Sequence, residues 1–101
     1  MYEIRYLPLA VKDLEEIVSY ITNELKSPKA AMDLIDEMDS SISRLKKFPY
    51  SCRVYYQERE FENEYRVLPV KNYLIFYVVK ENIVEVHRIL YSKMDVTCII
   101  K

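Results

Sequence analysis

Residues Tyr65–Asp95 read YRVLPVKNYLIFYVVKENIVEVHRILYSKMD, and this stretch decides the fold. Tyr65–Leu68 is short and rich in strand formers. Tyr73–Val79 is an unbroken apolar run, the pattern of a central strand buried on both faces. Lys80-Glu81-Asn82 supplies a turn, and Ile83–Leu90 returns as a last strand. Three consecutive strands joined by short polar turns imply a mostly antiparallel sheet.

Working toward the N-terminus, Glu58–Glu64 carries four Glu in seven residues and reads as a solvated loop or hairpin. Val54-Tyr55-Tyr56 is a candidate strand before it. Between Ser27-Pro28, a cap followed by a first helical proline, and Lys46-Lys47-Phe48-Pro49, apolar side chains recur at Ala31, Ile35, Met38, Ile42 and Leu45. That alternation of four and three is one helical stripe. A preceding helix begins at Pro8, carries Leu14, Ile17, Val18, Ile21 and Leu25, and ends around Lys26. Asp13, Glu15 and Glu16 fall near its N-terminus, where the helix dipole favours negative charge. So short a connection predicts an antiparallel helical hairpin. Tyr2–Leu7 alternates as a first strand. The predicted architecture is α+β. A strand and the hairpin precede a mostly antiparallel sheet of three or four further strands, with the helices on one face and the other face free.

The chain has 101 residues, the size of a single domain spanning 1–101. Half the residues are hydrophobic, as in a globular protein. It contains no glycine, so a Gly-rich phosphate loop and a dinucleotide-binding turn are both excluded. No segment approaches the roughly 20 apolar residues of a membrane span, and MYEIRYLPL lacks the features of a signal peptide; a cytoplasmic protein is expected. Cys52 and Cys98 are too few for a disulfide framework or a zinc site, and no metal or other cofactor is expected.

The net charge of −1 conceals an asymmetry. Residues 1–43 hold four basic and nine acidic side chains, whereas residues 44–101 hold eleven basic and seven acidic. A basic sheet half can attract nucleic acid or an acidic protein, or be ordinary solvated charge.

Arg66 and Arg88 lie inside strands of apolar character. A guanidinium is always charged and costly to bury alone, so each must reach solvent, a carboxylate such as Glu64 or Glu85, or an anionic ligand. Two arginines on neighbouring strands would offer paired forks to a phosphate. Alternation places Arg88 in phase with Val84, Val86 and Leu90; a rim position, a bulge or a structural role each accommodates that. Tyr91 can stack on a base, move a proton or simply pack. His87 is the single histidine and has no partner of catalytic spacing. Arg53, Arg59, Lys71 and Lys93 are the candidate nucleic-acid contacts of the basic half.

The helical hairpin, then Tyr65-Arg66-Val67-Leu68, then Asn72-Tyr73-Leu74-Ile75-Phe76-Tyr77, then His87-Arg88-Ile89-Leu90-Tyr91 with Asp95, resemble in order and spacing the RelE/ParE superfamily of bacterial toxins. The resemblance covers nearly the whole chain. It implies the toxin of a type II toxin–antitoxin pair, neutralised by a cognate antitoxin whose extended segment wraps it. RelE-like members cleave mRNA on the ribosome without a metal, and Arg66, Arg88 and Tyr91 match that catalytic set by position. ParE-like members inhibit DNA gyrase. The first expectation is therefore a ribosome-dependent mRNA endonuclease, the second a gyrase inhibitor acting by contact, the third a non-toxic binding module. Leu74 stands where some nucleases carry Arg, and Tyr91 where His is often found.

Overall fold

The computed structural model describes residues 1–55 and 63–93. Strand β1 (Glu3–Tyr6) leads into helix α1 (Pro8–Ser19), which widens into a π-helical turn over Tyr20–Glu24. Helix α2 (Pro28–Ser43) follows and tightens into a 3₁₀ turn over Arg44–Lys46. Strands β2 (Arg66–Val70), β3 (Tyr73–Lys80) and β4 (Ile83–Tyr91) complete the fold. The sheet order is β1-β4-β3-β2, with β1 parallel to β4 and the other two pairings antiparallel. This is the α+β architecture expected from the sequence.

Local chemistry accounts for the elements. Pro8 and Pro28 open the helices, and the Ser27 hydroxyl accepts the Ala30 N–H at 3.3 Å. Pro69 is tolerated because β2 is an edge strand and its missing N–H would face outward. With no glycine available, Lys26, Lys71 and Glu81 adopt φ of 51°, 52° and 55° at the chain reversals. A left-handed conformation costs a residue with a Cβ about 1–2 kcal/mol.

One core lies between the helices and the sheet. Ala10, Ile21, Leu34, Met38 and Leu45 meet Leu68, Ile75, Tyr77, Val84, Val86 and Ile89 there. The buried position on α2 is Leu34, while Ile35 is only half-buried, so the stripe is rotated slightly from the one read in the sequence. The opposite face is not free. Tyr65, Val67, Phe76, Val78 and Leu90 are buried on it as a second cluster, with Tyr55 edge-on to Phe76 at 5.1 Å. β3 therefore feeds side chains alternately into two cores, which is why its sequence is unbroken apolar.

Three local expectations change. Among the described residues, Val54 makes one antiparallel bridge to Arg66 instead of opening a strand, and Tyr56 lies outside those residues. The first turn of α1 holds no acid; Asp13 sits one turn further on and has another role. Most importantly, a register shift between Phe76 and Tyr77 pairs Tyr77 with Val86 but Phe76 with Arg88, leaving His87 as an extra residue. This bulge resets the alternation of β4, so that Ile89 joins the helix-facing core and Leu90 the opposite one.

Candidate functional site

The π-helical turn after α1 and the far end of β4 enclose a groove of about 590 Å³. Ile17, Tyr20, Leu25, Tyr73, Leu90 and Tyr91 supply its apolar and aromatic lining. Asp13, Glu16 and Arg88 supply the charge. The groove exists because β1 stops at Tyr6, opposite Val86, while β4 continues to Tyr91. Beyond Val86 the free edge of β4 faces α1.

Asp13 takes over where the parallel ladder ends. Its Oδ2 accepts the Ile89 backbone N–H at 2.9 Å and Arg88 Nε at 2.7 Å, while Oδ1 accepts Arg88 Nη2 at 2.8 Å. The side chains of Arg88 and Asp13 are 23% and 11% exposed. This bidentate, charge-assisted geometry is among the strongest a protein makes. The hydrogen bond from Asp13 pushes the Arg88 guanidinium above its ordinary pKa, against the opposing effect of burial. Asp13 lies three residues after buried Ala10 and four before half-buried Ile17, so the inner stripe of α1 carries an acid. That acid on an apolar stripe was the legible signal for a partnered carboxylate.

Arg66 is elsewhere. It belongs to β2, with β3 between it and β4, so the two arginines are not on neighbouring strands. Two strand spacings separate their backbones by about 10 Å. Arg66 Nη1 donates to the Cys52 carbonyl at 2.8 Å, Nη2 approaches Glu64 Oε1 at 3.5 Å, and the guanidinium lies 4.9 Å from the centroid of the Tyr50 ring. Arg88 turns instead to α1. Each fork has its own partners, and no partner is shared.

Tyr91 lies on the groove, half-exposed, with its ring 5.8 Å from Tyr73. Arg88 and Tyr91 thus share one site, and Arg66 does not. Burial, then the nearness of Tyr91 and Tyr20, raises the Tyr73 phenol above its ordinary pKa, so it stays protonated at neutral pH. Lys71 pairs with Glu37 at 3.4 Å; Arg53 and Lys93 are exposed; Arg59 and Asp95 lie outside the described residues.

A polar chain not foreseen from the sequence crosses the opposite face of the sheet. His87 Nε2 lies 3.2 Å from Glu85 Oε1 and Nδ1 lies 3.3 Å from the Tyr65 hydroxyl. A carboxylate only accepts, so in neutral His87 Nε2 carries the proton and Nδ1 accepts from Tyr65. Lys80 reaches the same Glu85 oxygen at 3.5 Å. The His87 hydrogen bond holds the Glu85 carboxyl below its usual range, assisted by Lys80 and opposed by burial. His87, the extra residue of the bulge, sits at the centre of this chain. Among the described residues, no group of three or more His, Cys, Asp or Glu could hold a metal ion, and no helix is long and apolar enough to cross a membrane.

Residues 4–96 match the family model of the ParE toxin of the type II toxin–antitoxin system parDE. The chain belongs to this toxin family. Among solved structures, the toxin resembles the chromosomal ParDE toxin–antitoxin system from P. aeruginosa, at 17% identity and a TM-score of 0.74, covering 92% of this chain and 98% of that one. It also matches the RelB–RelE antitoxin–toxin complex from Methanococcus jannaschii, at 20% identity and a TM-score of 0.47, over 88% and 91% of the two chains. No curated protein matches the toxin.

Proposed function

We propose that this toxin arrests growth by binding DNA gyrase, with no bond-breaking chemistry of its own, and that a cognate antitoxin silences it by filling the groove beside β4. The observation that carries the reading is the pairing of Arg88 with Asp13. A phosphate-cleaving site needs cationic forks preorganised toward the charge that develops on the phosphate. Here one fork is closed on an internal carboxylate and the other lies two strands away on Cys52 and Tyr50. Leu9, Tyr20 and Leu25 stand exposed on the helical side, the kind of surface that contacts protein. The family match to ParE and the fold likeness to a ParDE system support the same choice.

One observation favours a second reading. Arg88 and Tyr91 line the same groove, where a ribosome-dependent mRNA endonuclease would act once Arg88 leaves Asp13. A single induction experiment separates the two. Relaxed plasmid DNA with intact translated transcripts supports gyrase binding. New transcript ends with unchanged plasmid topology support the nuclease. Harmless expression without antitoxin would reject both and leave a non-toxic binding module.

A further inference from the structure

The segment Arg44–Arg53, RLKKFPYSCR, holds four cations and no acid, although the chain as a whole is slightly acidic. None of its residues lines the groove beside β4. Lys46, Lys47 and Arg53 are exposed. Between them, Phe48 is 62% and Tyr50 58% exposed. Large aromatic rings are normally covered in a globular domain, and here two stand among cations.

The backbone beneath them is firmly tied. The Lys46 carbonyl accepts from Tyr2 N at 2.8 Å, and the Pro49 carbonyl accepts the buried Tyr77 hydroxyl at 2.9 Å. The Cys52 carbonyl accepts Arg66 Nη1 at 2.8 Å, and the Arg53 carbonyl accepts Val67 N at 3.1 Å. Four anchors, from Tyr2 just before β1, from Arg66 and Val67 on β2 and from Tyr77 on β3, hold a stretch of eight residues from Lys46 to Arg53 in place. The cations and rings are therefore presented with little ordering entropy left to lose on binding. The guanidinium of Arg66 covers one face of Tyr50, and Tyr2 meets it edge-on at 6.5 Å. Two nearby acids are already paired, Glu3 with Arg5 at 3.9 Å and Glu64 with Arg66 at 3.5 Å.

We infer that the Lys46–Arg53 segment is a docking surface for single-stranded nucleic acid, with Lys46, Lys47 and Arg53 on phosphates and Phe48 and Tyr50 stacking on bases. Cations track a phosphate backbone, and exposed rings take up unstacked bases without regard to sequence. A duplex keeps its bases stacked and gives the rings nothing to hold. An acidic peptide would use the cations but not the rings. The inference goes beyond the gyrase reading and is independent of it.

Fluorescence anisotropy tests it, using labelled single-stranded DNA and RNA of about ten nucleotides, the matching duplex, and an oligoglutamate competitor. Single strands bind more tightly than duplex, and affinity falls as salt rises. Phe48→Ala and Tyr50→Ala each weaken binding about five- to a hundredfold with the salt slope unchanged. Lys46→Gln with Lys47→Gln reduces the slope by about 0.7 per cation removed. Binding of one sugar type alone supports the inference and identifies the source. Circular dichroism accompanies each variant, and Phe48→Ala, at an exposed position, leaves the fold intact. Absence of single-strand binding at low salt overturns the inference. So does affinity indifferent to Phe48→Ala, or displacement by oligoglutamate as effective as by an oligonucleotide of equal charge. Gyrase inhibition by a chain that ignores oligonucleotides overturns this inference alone.

Discussion

Asp13→Ala removes the acceptor of three hydrogen bonds at once, from Arg88 Nε, Arg88 Nη2 and Ile89 N. Among the described residues the guanidinium then has no hydrogen-bond acceptor, and the Ile89 N–H has none either, because β1 ends at Tyr6 opposite Val86. Breaking a fully buried ion pair by removing one member costs about 3–5 kcal/mol, whereas an exposed pair contributes at most about 1. With the arginine 23% exposed, water recovers part of its solvation, which lowers the expected cost to about 2–4 kcal/mol. For a domain near this size each kcal/mol moves Tm by about 4–8 °C, so the melting point falls by roughly 8–32 °C. Arg88→Ala costs less, because Asp13 keeps the Ile89 N–H. A double-mutant cycle in urea then gives a coupling energy of about 1–3 kcal/mol. Arg88→Lys restores little, since a lysine cannot reproduce the two-pronged contact. A Tm change of only a degree or two for Asp13→Ala, or a coupling energy near zero, would refute the reasoning and return Arg88 to the pool of available cations.

Three further predictions concern other parts of the fold. The Glu85 carboxyl is held below its unfolded pKa of about 4.3, so its contribution is present above that pH and disappears as pH falls through the folded value; Glu85→Gln flattens the acid limb of the urea midpoint below about pH 4, and identical limbs contradict this. Tyr77→Phe strands the Pro49 carbonyl that its buried hydroxyl serves at 2.9 Å, lowering stability by about 1–2 kcal/mol in equilibrium unfolding; a neutral result would mean the hydroxyl is dispensable. Glu81→Gly relieves a left-handed residue with φ of 55° and raises stability by about 1 kcal/mol, read as a higher Tm.

Periodicity carried most of the fold. The apolar run of Tyr73–Val79 marked the central strand, and the Ser27-Pro28 cap marked the start of α2, because both are local signals. The site was less legible. Asp13 and Arg88 stand 75 residues apart in sequence, and only the completed sheet brings α1 alongside β4. The bulge at His87 adds one unpaired residue that alternation cannot reveal, although a charged Arg88 in phase with the core positions Val84 and Val86 was its trace. The strand order was hidden too, so the arginines looked like neighbours when β3 in fact divides them. Half-buried Ile35 and buried Leu34 are adjacent on one helix, and a stripe read at steps of three and four cannot choose between them.

Gyrase supercoiling measured with purified toxin tests the central claim most directly. The account predicts dose-dependent loss of supercoiling, reversed by the cognate antitoxin and unaffected by Arg66→Ala in a folded chain. Full supercoiling at excess toxin, together with cutting of translated mRNA that Arg66→Ala abolishes, would contradict it.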